Sequence, residues 1–244
     1  MLRVFLLGRF RVRRGDEPLD TGRRAPRRPL QLLQAIAVLG PREAGLSHVV
    51  GALWPDAEGD AGMAACEIAL HRLRRLIGDA SGVWLRQGLI GLAPDRVWLD
   101  TEAFERLADD VAQRQDLDAL APALALYGGP LLAHEEDRPW LLAARPRLRS
   151  RYVRLAGAGA RMLEAAGRGS EAVEILQRAL EHEPLAEPLH RALIAAHVRA
   201  GRAAEATEAY RSCALLLREV LGVTPAPDTQ RALVQSCRPA RGSS

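Results

Sequence analysis

Residues Gly62 to Gly78, GMAACEIALHRLRRLIG, bring Glu67, His71, Arg72, Arg74 and Arg75 into one short stretch. These side chains suit recognition of a nucleic acid. An arginine can donate bidentately to O6 and N7 of guanine, and a histidine can donate or accept at a base edge. Glu67 can accept from the amino group of cytosine. Half or more of protein–DNA hydrogen bonds go to the backbone, so some of these arginines would only position the stretch on phosphates. The alternative is a surface helix whose charges are simply solvated. The stretch alone does not decide between the two, and the elements around it must.

The stretch reads as an amphipathic helix. Ala65, Ala69, Leu73 and Leu76 recur at i, i+4, i+8 and i+11, with Ile68 and Ile77 widening the apolar stripe. On this phasing Glu67, His71, Arg74 and Arg75 point elsewhere, with Arg72 at the margin. Upstream, LRVFLL and RFRVR are short β-prone runs around Gly8, and Gly15-Asp16 marks a turn. Next comes TGRRAPRRP, an arm carrying Arg23, Arg24, Arg27 and Arg28, which leads into the apolar run Leu30–Leu39 with Pro29 near its first turn. A basic arm at a helix N-terminus is a favourable place for a phosphate. Gly40-Pro41 ends that helix. Ser47 is the expected N-cap of a second helix, His48 to Trp54, stopped at Pro55. After the basic helix, Val83–Arg86 and Leu89–Ala93 read as strands around a Gln87-Gly88 tip, and Val97–Leu99 as a closing strand.

Composition agrees. The chain has 244 residues, 48% hydrophobic, a length comfortable for two domains. No run of about 18 apolar residues suggests a membrane span. The N-terminal apolar run is too short for a signal peptide and is broken by arginines on the wrong side, so a cytoplasmic location is expected. Cys66, Cys213 and Cys237 form neither a CxxC nor a Cys/His cluster, so reduced thiols are expected and no metal site. Every basic residue among the 34 is arginine, as GC-rich codons favour, so charge distribution is weighed above arginine identity. Residues 1–100 hold 15 Arg against 11 Asp and Glu, and residues 101–244 hold 19 against 19. The whole surplus therefore sits in the first hundred residues, as in a nucleic-acid-binding module joined to a neutral one.

Strands, three helices and a hairpin are the layout of a winged helix-turn-helix, whose third helix enters the major groove while the hairpin tip, here Arg86-Gln87-Gly88, reaches phosphates or a minor groove. The segment resembles the OmpR-type winged helix of the Streptomyces antibiotic regulatory protein (SARP) family. LRVFLLGRFRV, SHVVGALWPDA and IALHRLRRLIG carry the resemblance. It implies that the third helix reads DNA, with Glu67, His71, Arg72, Arg74 and Arg75 as groove-side residues. Wings of this type commonly show a Gly-Tyr pair, whereas this chain has Gly88-Leu89-Ile90-Gly91.

From Thr101 onward the periodicity is helical. Asp100 or Thr101 caps a helix to about Gln113, and Asp116 another to about Tyr127. After Trp140 a long helical run extends to Gly167, with a kink or a restart expected at Pro146. Ala166-Gly167-Arg168 and Ala200-Gly201-Arg202 stand 34 residues apart, as do Glu171-Ala172 and Glu205-Ala206, Leu176 and Tyr210, and Ala179 and Cys213. That is the tetratricopeptide (TPR) period. Trp140-Leu141, Tyr152, EPLHRALIAAHVRAGRAAEATEAY and LGVTPAPDT resemble the bacterial transcriptional activator domain, the TPR-like domain that follows the winged helix in SARP-type regulators.

Other constellations carry less. His134-Glu135-Glu136-Asp137 lacks metal-ligand spacing or a paired nucleophile, and there is no GxxxxGK[ST]. His190 and His197 fall at TPR packing positions. Arg145, Arg147, Arg149, Arg151 and Arg154 crowd one helix, where they can bind an anionic effector, form an interface with DNA, or pair with carboxylates. The expected fold is thus mostly α with a small β component. Residues 1–99 form the winged helix-turn-helix, 100–238 the TPR-like domain and 239–244 a disordered tail. The expected function is a non-enzymatic, cofactor-free transcriptional activator on double-stranded promoter DNA. The family resemblance implies direct repeats and contact with the sigma or alpha subunit of RNA polymerase, and a homodimer on DNA is expected. The alternative is a TPR-type interaction or effector-sensing protein, for example one binding an anionic nucleotide, with a degenerate winged helix.

Overall fold

The computed structural model describes residues 1–21, 25–58 and 60–234. Arg23, Arg24 and the 239–244 segment lie outside the described residues. The chain divides into two compact units, Met1–Glu105 with Leu126–Leu148, and Arg106–Ala125 with the chain from Arg149 onward.

The first unit opens with β1 (Leu2–Phe5), β2 (Arg11–Arg14) and β3 (Glu17–Leu19). Alternation sets their faces. Leu2, Val4 and Val12 are buried while Arg3, Arg11 and Arg13 point to solvent. Strand β7 (Val97–Leu99) completes the sheet in the order β3-β2-β1-β7, pairing Leu2 with Val97 and Val4 with Leu99. It runs parallel to β1, so the closing strand joins the N-terminal sheet and not the hairpin. Parallel neighbours need a long crossover. Here the crossover contains α1 (Arg27–Leu39), β4 (Ala44–Gly45), α2 (Leu46–Leu53), α3 (Ala61–Ile77) and the hairpin β5 (Val83–Arg86) and β6 (Leu89–Leu92). A second sheet, in the order β4-β6-β5, holds the hairpin.

Helix α1 is the centre of this unit. Leu32, Leu33, Ala35 and Ile36 are wholly buried, and the helix packs on α2, α3 and β6. Each such leucine or isoleucine contributes about 1.5–3 kcal/mol. Helix α2 starts one residue before the expected Ser47 cap. Gly45 precedes it, and Leu46 N donates to Gly88 O at 2.9 Å. The hairpin backbone thus does what a capping side chain would have done.

The loop after residue 126 also belongs to this unit. Leu132 N donates to Leu6 O at 2.7 Å, Gly8 N to Pro130 O at 3.0 Å and Ala133 N to Gly8 O at 3.0 Å. Asp100, the first residue of α4 (Asp100–Arg114), is buried and accepts from Leu6 N and Leu7 N at 2.8–2.9 Å. Burial pushes its carboxyl up to about 6, against the backbone amides of Leu7, Leu6 and Thr101, which favour the ionised form.

The second unit is helical. It contains α5 (Leu120–Leu126) in large part, most of α6 (Ala144–Ala165), and all of α7 (Gly169–His182), α8 (Glu187–Arg199), α9 (Ala203–Leu221) and α10 (Pro227–Val234). Asp116 accepts from Asp118 N and Ala119 N just ahead of α5. Helix α6 begins at Ala144, so Pro146 sits in its first turn, where a proline is tolerated, and the helix restarts instead of kinking. The 34-residue repeat is reproduced bond for bond at its turns. Arg168 N donates to Leu163 O at 2.8 Å and Arg202 N to His197 O at 2.9 Å. Between them Gly167 (φ 75°) and Gly201 (φ 71°) take the left-handed conformation that ends each first helix. Ala172, Leu176, Ala179, Ala206 and Cys213 are wholly buried. His190 and His197 are buried too. His190 Nε2 lies 2.8 Å from Pro184 O, and burial lowers the pKa of His197.

Candidate nucleic-acid interface

Helix α3 buries Gly62, Cys66, Ala69, Leu70, Leu73 and Ile77. This stripe is rotated from the expected one: Ala69, Leu73 and Ile77 are shared with it, Ala65 and Leu76 are only half-buried, and Ile68 is exposed. Gly62 fits this phase. A Cβ there would meet Val50 Cγ1 at 2.8 Å, so α2 and α3 approach too closely for a larger residue to face in. Cys66 lies on the buried side, and burial raises its thiol to about 11.

The rotation defines the outer face. Ala64, Glu67, Ile68, His71, Arg72 and Arg75 are all exposed, in i, i+3, i+4 order along one side of the helix. Arg72 thus moves from the expected margin onto the outer face, beside His71 and Arg75. These three and Leu76 line a shallow cavity of about 410 Å³ closed by Pro26, the residue before α1. That places the N-terminus of α1 beside the C-terminal half of α3. The first turn of α1 contains no acidic residue, and Arg27 there is largely exposed. Its contact with Glu136 is an exposed pair at 3.6 Å, of the kind worth little.

Two of the expected DNA-facing arginines are hydrogen-bonded within the protein. Arg74 is half-buried, and its Nε and Nη2 donate to Val83 O at 3.0 and 2.9 Å, which ties α3 to the first hairpin strand. Arg28 donates to Leu53 O at 3.2 Å and to Gln31 Oε1 at 3.3 Å, and stacks over Trp54 at 5.8 Å. It holds α1 to the carbonyl end of α2, where a cation also meets the helix dipole. One positioning residue was not singled out from the sequence. Arg14 Nη2 donates to Leu76 O at 3.1 Å, capping the end of α3, where Gly78 turns left-handed at φ 65°. With all basic residues arginine, residue type alone cannot separate such carbonyl-bound groups from free ones.

The hairpin tip is exposed in its side chains, while its backbone at Gly88 O accepts from Leu46 N. Gln87 (φ 51°) and Gly88 (φ 74°) form a two-residue turn with both φ positive, the twist that suits a tight hairpin. Arg86, Gln87 and Gly88 are exposed, and the Arg86 guanidinium sits 4.6 Å from the Trp84 ring centroid. The missing aromatic after Gly88 does not prevent the wing from forming: Leu89 and Ile90 pair with Arg86 and Leu85. The arrangement can present one helix face to a groove, with Arg27 and Arg86 as further cations for phosphates.

The five arginines from 145 to 154 do not gather into one site. Arg145 donates to the carbonyls of Leu131, Leu132 and Glu135 and pairs with Asp137. Arg147 pairs with Glu105, Arg149 with Glu183 at 2.6 Å, and Arg151 with Asp109 at 2.5 Å. Arg154 makes no ion pair among the described residues. Among those residues no group of His, Cys, Asp and Glu is arranged to hold a metal, and no helix is long and apolar enough to cross a membrane.

The family described as bacterial transcriptional activator domain matches residues 99–235. The regulatory protein AfsR of Streptomyces coelicolor is 31% identical over 94% of this chain and 23% of its own length. AfsR of Streptomyces griseus is 29% identical over 93% of this chain and 24% of its own length. The chain therefore spans about a quarter of the curated relatives it matches. A solved structure of Mycobacterium tuberculosis EmbR in complex with a low affinity phosphopeptide superposes with a TM-score of 0.72 at 23% identity, covering 96% of this chain and 64% of that one. It shares the fold.

Proposed function

The chain belongs to the bacterial transcriptional activator domain family, in the SARP-type order of winged helix then helical repeats, and from that premise we propose that it is a sequence-specific DNA-binding regulator of transcription. The exposed row Glu67, His71, Arg72 and Arg75 on α3 carries this reading. That row enters the major groove. Arg27 and Arg86 engage phosphates on either side, joined by Arg23 and Arg24 of the arm. Arg28 and Arg74 hold α1 and the wing in place and do not read bases. The protein activates its promoters, binds direct repeats as a homodimer, and contacts the sigma or alpha subunit of RNA polymerase.

Selection of bound duplexes from a random pool, followed by sequencing, tests the proposal. An enriched direct repeat is expected. Binding to it should fall steeply with salt, because each neutralised phosphate releases condensed counterions. A second reading, a helical interaction module whose winged helix no longer reads DNA, is favoured by the internal use of Arg28 and Arg74. Absence of any enriched sequence and of any low-salt complex would decide for that second reading.

A further inference from the structure

A groove of about 890 Å³ runs between α6 and α8, the first helices of the two repeats. Its floor is made of small residues, Gly157 and Ala158 from α6 and Ala192 and Ala195 from α8. Its walls are arginines: Arg149, Arg154 and Arg161 on one side, Arg191 and Arg199 on the other. The one carboxylate among the lining residues, Glu187, is engaged elsewhere, accepting from Ala226 N and Thr229 Oγ1 at 2.6 Å each. Arg149, Arg191 and Arg199 have partners outside the lining, in Glu183, Asp228 and Glu164. Arg154 and Arg161 make no ion pair among the described residues. They stand two turns apart on one helix, about 10 Å along its axis.

From this placement we infer that the α6–α8 groove is a docking site for an acidic peptide segment of a partner protein. Cations line both walls, so carboxylates on a bound chain find donors on either side. An extended chain advances about 3.3 Å per residue and turns every second side chain to the same face, so acidic side chains two and four positions apart, at about 7 and 13 Å, bracket the Arg154–Arg161 spacing. The floor of glycine and alanine admits a peptide backbone closely and offers an apolar bed for the residues between. A nucleotide is the poorer match. No aromatic side chain lines the groove to stack a base, and no Asn or Gln is present to read its edge.

The test uses the full chain and a fluorescein-labelled peptide of alternating glutamate and alanine, followed by fluorescence anisotropy at low salt. Binding is expected. It should weaken at least about tenfold in Arg154→Glu/Arg161→Glu, the loss of two charge-assisted contacts of about 1.4 kcal/mol in total or more. The milder Arg154→Gln/Arg161→Gln should show the same direction, and circular dichroism melting checks that both variants fold. Arg72→Ala/Arg75→Ala should bind the peptide unchanged, which separates this groove from the α3 face. Arg178→Glu, an exposed α7 position away from the groove, should also bind unchanged. The alternating glutamine and alanine peptide should not bind. Equal affinity in the folded Arg154/Arg161 variants would overturn the assignment. So would an equal loss in Arg178→Glu, or displacement of the peptide by ATP at comparable concentration.

Discussion

Arg74 and Arg75 are neighbours in sequence and differ in what they touch. Arg75 is exposed on the outer face of α3, while Arg74 donates twice to Val83 O. The two alanine variants should therefore fail in different ways. Arg75→Ala should weaken binding to the selected DNA by about 1–3 kcal/mol and leave the melting temperature unchanged. Arg74→Ala leaves the carbonyl of buried Val83 without its guanidinium partner, so it should lower stability by about 1–3 kcal/mol and weaken DNA binding only through the loosened wing. Denaturant unfolding and titration of the DNA separate the two. Arg72→Ala should behave as Arg75→Ala. The slope of binding against salt then assigns each residue: a phosphate contact lowers it by about 1, a base contact leaves it near the wild-type value. The composition of this face was legible in the sequence. Its phase was not, because two overlapping apolar stripes run along α3 and the partner helix chooses between them. Nor was the division of labour among the arginines, since a backbone carbonyl that accepts a guanidinium has no signature in residue type.

At the level of elements, the hairpin was readable from Gln87-Gly88 and the helical repeat from its paired glycines, because both are local. The parallel β1–β7 pairing and the return of residues 126–148 to the first unit were not, because they depend on contacts between distant backbone segments. One close approach tests the wing directly. A Cβ at Gly91 would run into the Arg42 carbonyl oxygen and come within 2.5 Å of the Trp84 ring. Gly91→Ala should therefore cost about 1–3 kcal/mol in denaturant unfolding and disturb the hairpin that Arg74 holds. Asp100 makes the junction of β1 and α4 sensitive to pH. Its folded pKa, about 6, lies above the usual unfolded value, so the fold favours its protonated form. Its contribution is complete below the unfolded value and is lost as pH rises through about 6. Relative to Asp100→Asn, the wild-type protein should gain stability, by up to about 3 kcal/mol, as pH falls from 7 towards 4. A difference between the two proteins that stays constant across that range would refute the linkage.

On the scale of the whole chain, charge is partitioned: the surplus of arginine over acid falls within residues 1–100, and the remainder is balanced. Binding of DNA and binding of an acidic peptide are accordingly assigned to different units, and the variants named for one should leave the other intact. The two buried cysteines give each unit its own clock. Cys66 in α3 and Cys213 in α9 are free, buried, and raised by burial to about 11, so at neutral pH neither reacts until its helix opens. In a Cys237→Ser background, labelling by a disulfide reagent should proceed in two phases, one per unit, each assigned by replacing Cys66 or Cys213 with alanine. Operator DNA should slow only the Cys66 phase, since a ligand that grips α3 suppresses the openings that release its thiol. On the proposed reading, α3 thus carries, on the side opposite its exposed row, a probe of how firmly DNA holds it.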